Sequence, residues 1–371
     1  IFTITASDIF IDKTKKIADF NQKINDFRTV LSAKNEQFGK EKYMQFYEIS
    51  TYLYQALLEK LLSHISETKS LFLIPDANLL YLPFAALTKK MPASIYLKNT
   101  EYDLNLFVNS NYSISYNDST ALLLNEKNNG QHKTKLSKNH FLGFAPVAFA
   151  NLKSSFEATK KLEALNFSRS EVLFIDSLLN GVLYLESEAT KKRFLETVEK
   201  AKIIHLSSHA FVSDSLPMQS EIAFADSMLH IYEIYNLPLS AELAVLSACQ
   251  TASGKIVRGE GIMSLARGFM YAGCPSVVSS LWSVNDEATT DLMKAFYANL
   301  KAGQAKDKAL QNAQKTIMHQ KNNPYYWAAF VQIGNTKPIE KNGHCWRITI
   351  FCLLALLAVI FFLKKERQKH N

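Results

Sequence analysis

The sequence predicts an α/β protein whose mostly parallel sheet is covered by helices on both faces. Short, continuously apolar runs recur along the chain, and segments with helical spacing separate them. A strand buried on both faces reads as unbroken hydrophobic sequence, and crossover helices are what bury it. Composition agrees. The 371 residues are 47% hydrophobic and 20% charged, the profile of a folded chain long enough for one large or two modest domains.

Taken in order, the elements begin with an amphipathic helix. From Ile17 onward, Phe20, Ile24, Phe27, Val30 and Leu31 fall three and four residues apart, which places them on one helical face. A second helix is expected from Glu41 to Ile65, with Leu53, Leu57, Leu58, Leu61, Leu62 and Ile65 on its apolar side. Strands are then expected at Ser70–Pro75, His140–Pro146, Glu171–Ile175, Lys202–Ser208, Glu242–Ala248 and Pro275–Trp282, with helices over Phe156–Leu165, Ala189–Lys200, Gly261–Ala272 and Ala288–Ala302. The polar stretch Lys127–Asn139 is expected to be an exposed, protease-sensitive loop.

Charge and cysteine usage narrow the function. The formal net charge is +8, and the closing residues Lys364, Lys365, Arg367 and Lys369 contribute to it. No arginine-rich stripe or aromatic-interleaved basic run accompanies it, so no nucleic-acid partner is expected. Cys249, Cys274, Cys345 and Cys352 have neither metal-ligand spacing nor a disulfide framework. The chain opens on Ile1 rather than Met, and a fragment of a longer protein is expected.

Ile348–Leu363, ITIFCLLALLAVIFFL, is uncharged, with Thr349 as its polar residue. With Cys345 and Trp346 it makes about 28 Å of helix at 1.5 Å per residue, the length of a bilayer core. Trp346 and Arg347 flank one end and Lys364 and Lys365 the other, as interface anchors do. The expectation is a linker over 336–345, a single-pass transmembrane helix over 346–363 and a basic tail over 364–371. The membrane side is left open.

In a parallel sheet, loops from neighbouring strands converge beyond the carboxyl ends, and chemistry gathers there. The run ELAVLSACQTASG delivers Cys249 to such an end, and KIIHLSSHAF delivers His209 to another. A thiol with a pKa near 8.5 is only a few per cent thiolate at neutral pH. A nearby imidazole that takes the proton and returns it to the leaving amine is worth roughly 10²–10⁴-fold. Strand alternation turns His205 into the sheet interior as a structural histidine. HLSSH is not read as a zinc site, because that motif needs a helix to align both rings, and no metal or other cofactor is expected. GKIVRGEG has the wrong glycine and lysine order for a phosphate loop, which leaves nucleotide binding a weak third reading.

These residues belong to a longer series. LFLIPDANLLYLPFAAL (Leu71–Leu87), SRSEVLFI (Ser168–Ile175), SEATKKRF (Ser187–Phe194), IIHLSSHAF (Ile203–Phe211), LAVLSACQTASG (Leu243–Gly254), GEGIMSLARGFMYAGCPSVVSSLWSVNDEATTDLM (Gly259–Met293) and NPYYWAAFVQIG (Asn323–Gly334) occur in order. From about Leu53 to Gly334 the chain resembles the CHAT domains, bacterial relatives of caspases and separases. The resemblance implies a caspase-like three-layer α/β/α sandwich over 53–335, preceded by a helical region over 1–52. It also implies a catalytic dyad of Cys249 and His209, with the backbone N–H groups of Ala210 and Cys249 as the oxyanion hole.

Two positions depart from the family pattern. Ala210 stands where glycine usually follows the histidine, and Gln250 where glutamate is common after the cysteine. Loss of glycine's access to positive φ would displace the oxyanion hole. By position, the walls of the specificity pocket are Ser247 and the loop from Trp282 to Asp286. Asp226 lies in a hairpin between the dyad strands. The two carboxylates would favour Lys or Arg before the scissile bond.

The function expected is therefore a membrane-anchored cysteine endopeptidase, placed in the bacterial inner membrane and acting on protein or peptide substrates. An upstream helical-repeat region would act as sensor or platform. The rival reading is a catalytically inactive, caspase-like interaction scaffold at the membrane.

Overall fold

The computed structural model describes residues 1–13, 19–33, 39–65, 69–93, 101–117, 139–149, 152, 162–213, 217–247 and 261–339. Strands β1 (Phe2–Ile4) and β2 (Ile9–Ile11) form an antiparallel hairpin. Helices α1 (Phe20–Ser32) and α2 (Lys40–Tyr54) follow. The latter continues through a π-helical turn at Gln55–Glu59 into α3 (Lys60–Ser63), where the sequence pattern had suggested one uninterrupted helix.

The main sheet comprises β3 (Ser70–Leu73), β4 (Ser113–Tyr116), β5 (Asn139–Ala145), β6 (Val182–Leu185), β7 (Ala201–Leu206), β11 (Leu243–Leu246), β12 (Ser276–Ser280) and β13 (Phe330–Gly334). Three shorter strands, β8 (Ala210–Phe211), β9 (Glu221–Ala223) and β10 (Met228–His230), make a separate antiparallel sheet. The main sheet has the order β3-β4-β13-β12-β11-β7-β5-β6. Strands β3, β4 and β13 are mutually parallel, as are the other five, and the two blocks oppose each other at β12–β13. This is a mixed α/β fold with a large, mostly parallel sheet, consistent with the caspase-like architecture.

The remaining helices are α4 (Ser168–Leu179), α5 (Lys191–Thr197), α6 (Ile231–Ile234), α7 (Gly261–Tyr271), α8 (Asp286–Lys301), α9 (Lys306–Gln320) and α10 (Pro324–Trp327). Adjacent residues of β5 show how both sheet faces are covered. A Cβ on Gly143 would stand 2.6 Å from Val172 of α4. The Phe144 ring meets Phe194 of α5, 5.5 Å away edge to face. Since neighbouring strand residues face opposite ways, α4 and α5 lie on opposite sides.

Several expectations need correction. Glu171–Ile175 lies in helix α4, not in a strand: Ser168, Glu171, Val172 and Ile175 are buried, and that spacing is helical. A five-residue apolar run does not distinguish the two periods. Leu162–Leu165 is not helical, and 153–161 lies outside the described residues. So does most of the polar stretch 127–139, whose last residue, Asn139, opens β5.

The membrane-anchored location is also overturned. No helix among the described residues is long and apolar enough to cross a membrane. The segment 346–363 that suggested one lies outside the described residues, and a single-pass membrane protein is not carried forward.

Candidate functional site at the carboxyl rim

Strand β7 is buried along its length, and its alternation separates the two histidines. His205 is fully buried. Its Nε2–H donates to Glu171 Oε1 of α4 at 2.7 Å, and its Nδ1 lies 3.0 Å from the Tyr297 hydroxyl of α8. Burial, reinforced by the nearby Glu171 charge, pushes the Tyr297 hydroxyl well above its ordinary pKa, so it stays protonated beside the ring. Thr290 of α8 donates to Glu171 Oε2 at 3.2 Å. His205 is thus the structural histidine that alternation predicts.

His209 lies past the end of β7. Ser207 N–H still donates to Phe144 O of β5 at 2.9 Å, and the Ser208 hydroxyl donates to Ala223 O of β9. The His209 carbonyl accepts from Ala223 N–H at 2.9 Å, so the small sheet fixes its backbone. The ring is 2% exposed and packs 4.8 Å from Phe149. Its Nε2 lies 2.8 Å from the Glu163 carbonyl oxygen. A carbonyl only accepts, so Nε2 carries the hydrogen and Nδ1 is the basic nitrogen. Glu163 and Phe149 had no signal in the sequence pattern, because one acts through its backbone and the other follows a strand as an ordinary apolar residue.

Ala210 opens β8, paired with Ile222. It is not among the residues with positive φ, so alanine is under no backbone strain there.

Strand β11 runs between β7 and β12, and its parallel register pairs Leu246 with Leu206. Ser247, the next residue, is 6% exposed, and its hydroxyl oxygen is buried without a hydrogen-bond partner among the described residues. Residues 248–260 follow, so Cys249 and Gln250 lie outside the described residues.

The other pocket candidates have additional roles. Trp282, two residues beyond β12, is buried and donates its indole N–H to Tyr325 O at 3.1 Å. Asp286, in the first turn of α8, accepts Phe167 N–H at 3.0 Å. Burial pushes its carboxyl up, the Phe167 N–H draws it back in part, and the Glu171 charge acts in the same sense as burial. Asp226 is exposed and accepts Lys191 N–H at 2.8 Å, at the start of α5. Ser247, Trp282 and Asp286 follow two neighbouring strands at one rim, whereas Asp226 sits in the β9–β10 turn.

Cys274 offers a contrast. It is fully buried, donates to Ser276 O at 3.2 Å, and its thiol is pushed up to about 12 by that burial. It is a packing residue.

Sheet and rim together define a mixed α/β domain with a large, mostly parallel sheet. The CHAT domain family model matches residues 48–335, and the chain belongs to that family. Among curated proteins it is similar to Tetratricopeptide repeat protein 28 of Mus musculus, at 25% identity over 45% of this chain and 8% of that protein. The Homo sapiens protein of the same name matches at 24% over the same shares. The chain therefore spans under a tenth of the length of these relatives, and their mammalian source gives the expected bacterial origin no support. Among solved structures, the complex of the pro- and mature domains of Porphyromonas gingivalis RgpB is similar over 87% of this chain and 77% of that one, with 10% identity and a TM-score of 0.45. The Saccharomyces cerevisiae separase–securin complex is similar over 87% of this chain and 23% of that one, with 13% identity and a TM-score of 0.48.

Proposed function

We propose that the chain is a cysteine endopeptidase of the CHAT type, with Cys249 as nucleophile and His209 as general acid–base. One observation carries the reading. Leu206 and Leu246 are register partners on adjacent parallel strands, and His209 and Cys249 each follow their leucine by three residues. Neighbouring chains thus leave the sheet at one level and reach an imidazole and a thiol after equal lengths.

In the proposed reaction, His209 Nδ1 takes the Cys249 thiol proton, and the sulfur attacks the scissile carbonyl carbon. The oxyanion is held by the backbone N–H groups of Ala210 and Cys249. As the intermediate collapses, the C–N bond breaks and the imidazolium gives its proton to the leaving amine. Water, deprotonated by His209, then hydrolyses the thioester and restores the thiol. Ser247, Trp282, Asp286 and Asp226 are the proposed pocket residues, with Lys or Arg favoured before the cut. No cofactor takes part. An upstream helical-repeat region as platform is supported by the tetratricopeptide-repeat names of the curated relatives.

The second reading, an inactive interaction scaffold, draws on the 2% exposure of His209, which leaves its ring covered. Digestion of a peptide library, alongside labelling with a thiol-directed peptide probe, separates the two. The endopeptidase reading requires cleavage and labelling that Cys249→Ala abolishes. An unreactive Cys249 with no cleavage would leave the scaffold.

A further inference from the structure

Residues 162–167 form a strap that crosses the rim and is held at three places. Leu165 N–H donates to Val147 O, beyond the end of β5, at 3.0 Å. The Glu163 carbonyl accepts from His209 Nε2, beyond β7, at 2.8 Å. Phe167 N–H donates to Asp286 Oδ2, beyond β12, at 3.0 Å. Leu162 belongs to a small apolar cluster with Phe149, Phe211 and Ala223, and Leu165 packs against it. The strap turns into α4 where the Ser168 hydroxyl donates to Leu165 O at 2.8 Å.

The His209 ring anchors one end of this strap and the Asp286 carboxylate the other, and the position of Asp286 is tightly set. Asn285 caps α8 by accepting Ala288 N–H at 3.2 Å. One turn further on, Thr290 donates to Glu171, which lies in the first turn of α4. Helices α4 and α8 are therefore fastened together just beyond the Phe167–Asp286 bond. Where Asp286 holds Phe167, the strap has little freedom to slide along the rim.

We propose that Asp286 is a positioning residue for His209: its carboxylate pins the strap at Phe167 and so holds the Glu163 carbonyl against the His209 Nε2–H. The proposal rests on the reading of His209 as the general acid–base and adds a residue that acts on it indirectly. With the carbonyl in place, the proton stays on Nε2 and the basic Nδ1 keeps one direction. Without it, the ring exchanges tautomers and rotates, and a misplacement of about 1 Å in such a group can cost on the order of 10²-fold in rate.

The test uses three variants and two readouts. Asp286→Ala removes both the acceptor and the charge at the α8 N-terminus. Asp286→Asn removes the charge but keeps an oxygen for the Phe167 N–H. Asp286→Glu keeps the charge but moves the acceptor, and serves if the alanine variant fails to fold. Histidine-ring nitrogen NMR, recorded on a Cys249→Ala background, follows the His209 tautomer without any need for catalysis. The Nε2–H signature should persist in the asparagine variant and give way to mixed tautomers in the alanine and glutamate variants. In parallel, with a substrate uncharged before the scissile bond, so that the pocket role proposed for Asp286 does not enter, kcat should fall about tenfold or more for alanine with KM little changed, and recover for asparagine. An unaltered His209 signature in the alanine and glutamate variants overturns the proposal, as does equal loss in alanine and asparagine. A tautomer change in a chain that cleaves nothing would uphold the positioning role and count against the peptidase reading instead.

Discussion

His205 and His209, four residues apart on one strand and its exit, have different hydrogen-bond partners. His205 gives its Nε2–H to the Glu171 carboxylate at 2.7 Å, and His209 gives its own to the Glu163 carbonyl at 2.8 Å. A carboxylate paired with a buried imidazole ties α4 to β7. A carbonyl fixes a tautomer and adds no charge. The partners assign one ring to architecture and leave the other suited to moving protons.

The first prediction follows from the architectural ring. Glu171→Ala or His205→Ala leaves a buried polar partner unmatched, at a cost of about 3–5 kcal/mol. Denaturant unfolding should show a large drop in midpoint with an unchanged slope. Replacement without measurable loss would mean that the pair does not hold α4 against the sheet.

A second prediction concerns the proton-moving ring. If the dyad works, His209→Ala should lower kcat/KM by roughly 10²–10⁴-fold while stability falls less than in the His205 variant. Steady-state peptide cleavage and thermal melting, measured on the same preparations, check both halves.

Ala210→Gly should bring no gain in rate. The residue has no positive φ for glycine to relieve, and glycine within a strand costs about 0.5–1 kcal/mol relative to alanine. A several-fold rise in kcat would show that the oxyanion loop needs a backbone conformation other than the one seen.

Cys274 should resist alkylation in the folded protein. With its thiol at about 12 and fully buried, almost no thiolate exists at neutral pH. Mass spectrometry after iodoacetamide treatment should find it modified only once denaturant is added. In a Cys345→Ser, Cys352→Ser background, native labelling would then report on Cys249.

Acid should loosen the joint between α5 and the start of α6. Burial works to raise the Glu233 carboxyl, but the Lys191 ammonium and the His230 N–H outweigh it and hold it below its ordinary value. A carboxyl lowered by folding contributes stability that is present above its unfolded pKa and lost as pH falls through the folded one. Glu233→Gln should cost about 0.5–1 kcal/mol at pH 7 and flatten the decline below roughly pH 4. Melting curves across pH 3–7 that keep the wild-type slope would contradict this.

Strands β7, β11 and β12 were legible because each is buried along its length and carries adjacent Val, Ile or Leu residues. The strands missed were the ones whose burial is satisfied differently. SISY, β4, alternates serines, and Ser113 donates to Asp307 at 2.6 Å. FVQIG, β13, carries a buried Gln332 whose amide donates to Ser276 Oγ at 3.2 Å. VLYL, β6, is a half-buried edge strand. At the site, positions 209 and 249 stood out because a strand ends just before each. Glu163, Phe149 and the strap did not, since their contribution comes through backbone atoms that periodicity does not report.

The junction between β12 and β13 bears on how the molecule is made. Strands β3 and β4 are synthesised early, yet β4 meets the other block only through β13, among the last strands in chain order. Until Phe330–Gly334 has left the ribosome, the nascent chain holds two incomplete sheets with bare edges at β4 and β12. Unpaired edges invite pairing with other chains. This protein is therefore expected to depend on chaperones during synthesis, and chains truncated before Phe330 should aggregate rather than accumulate as partly folded monomers.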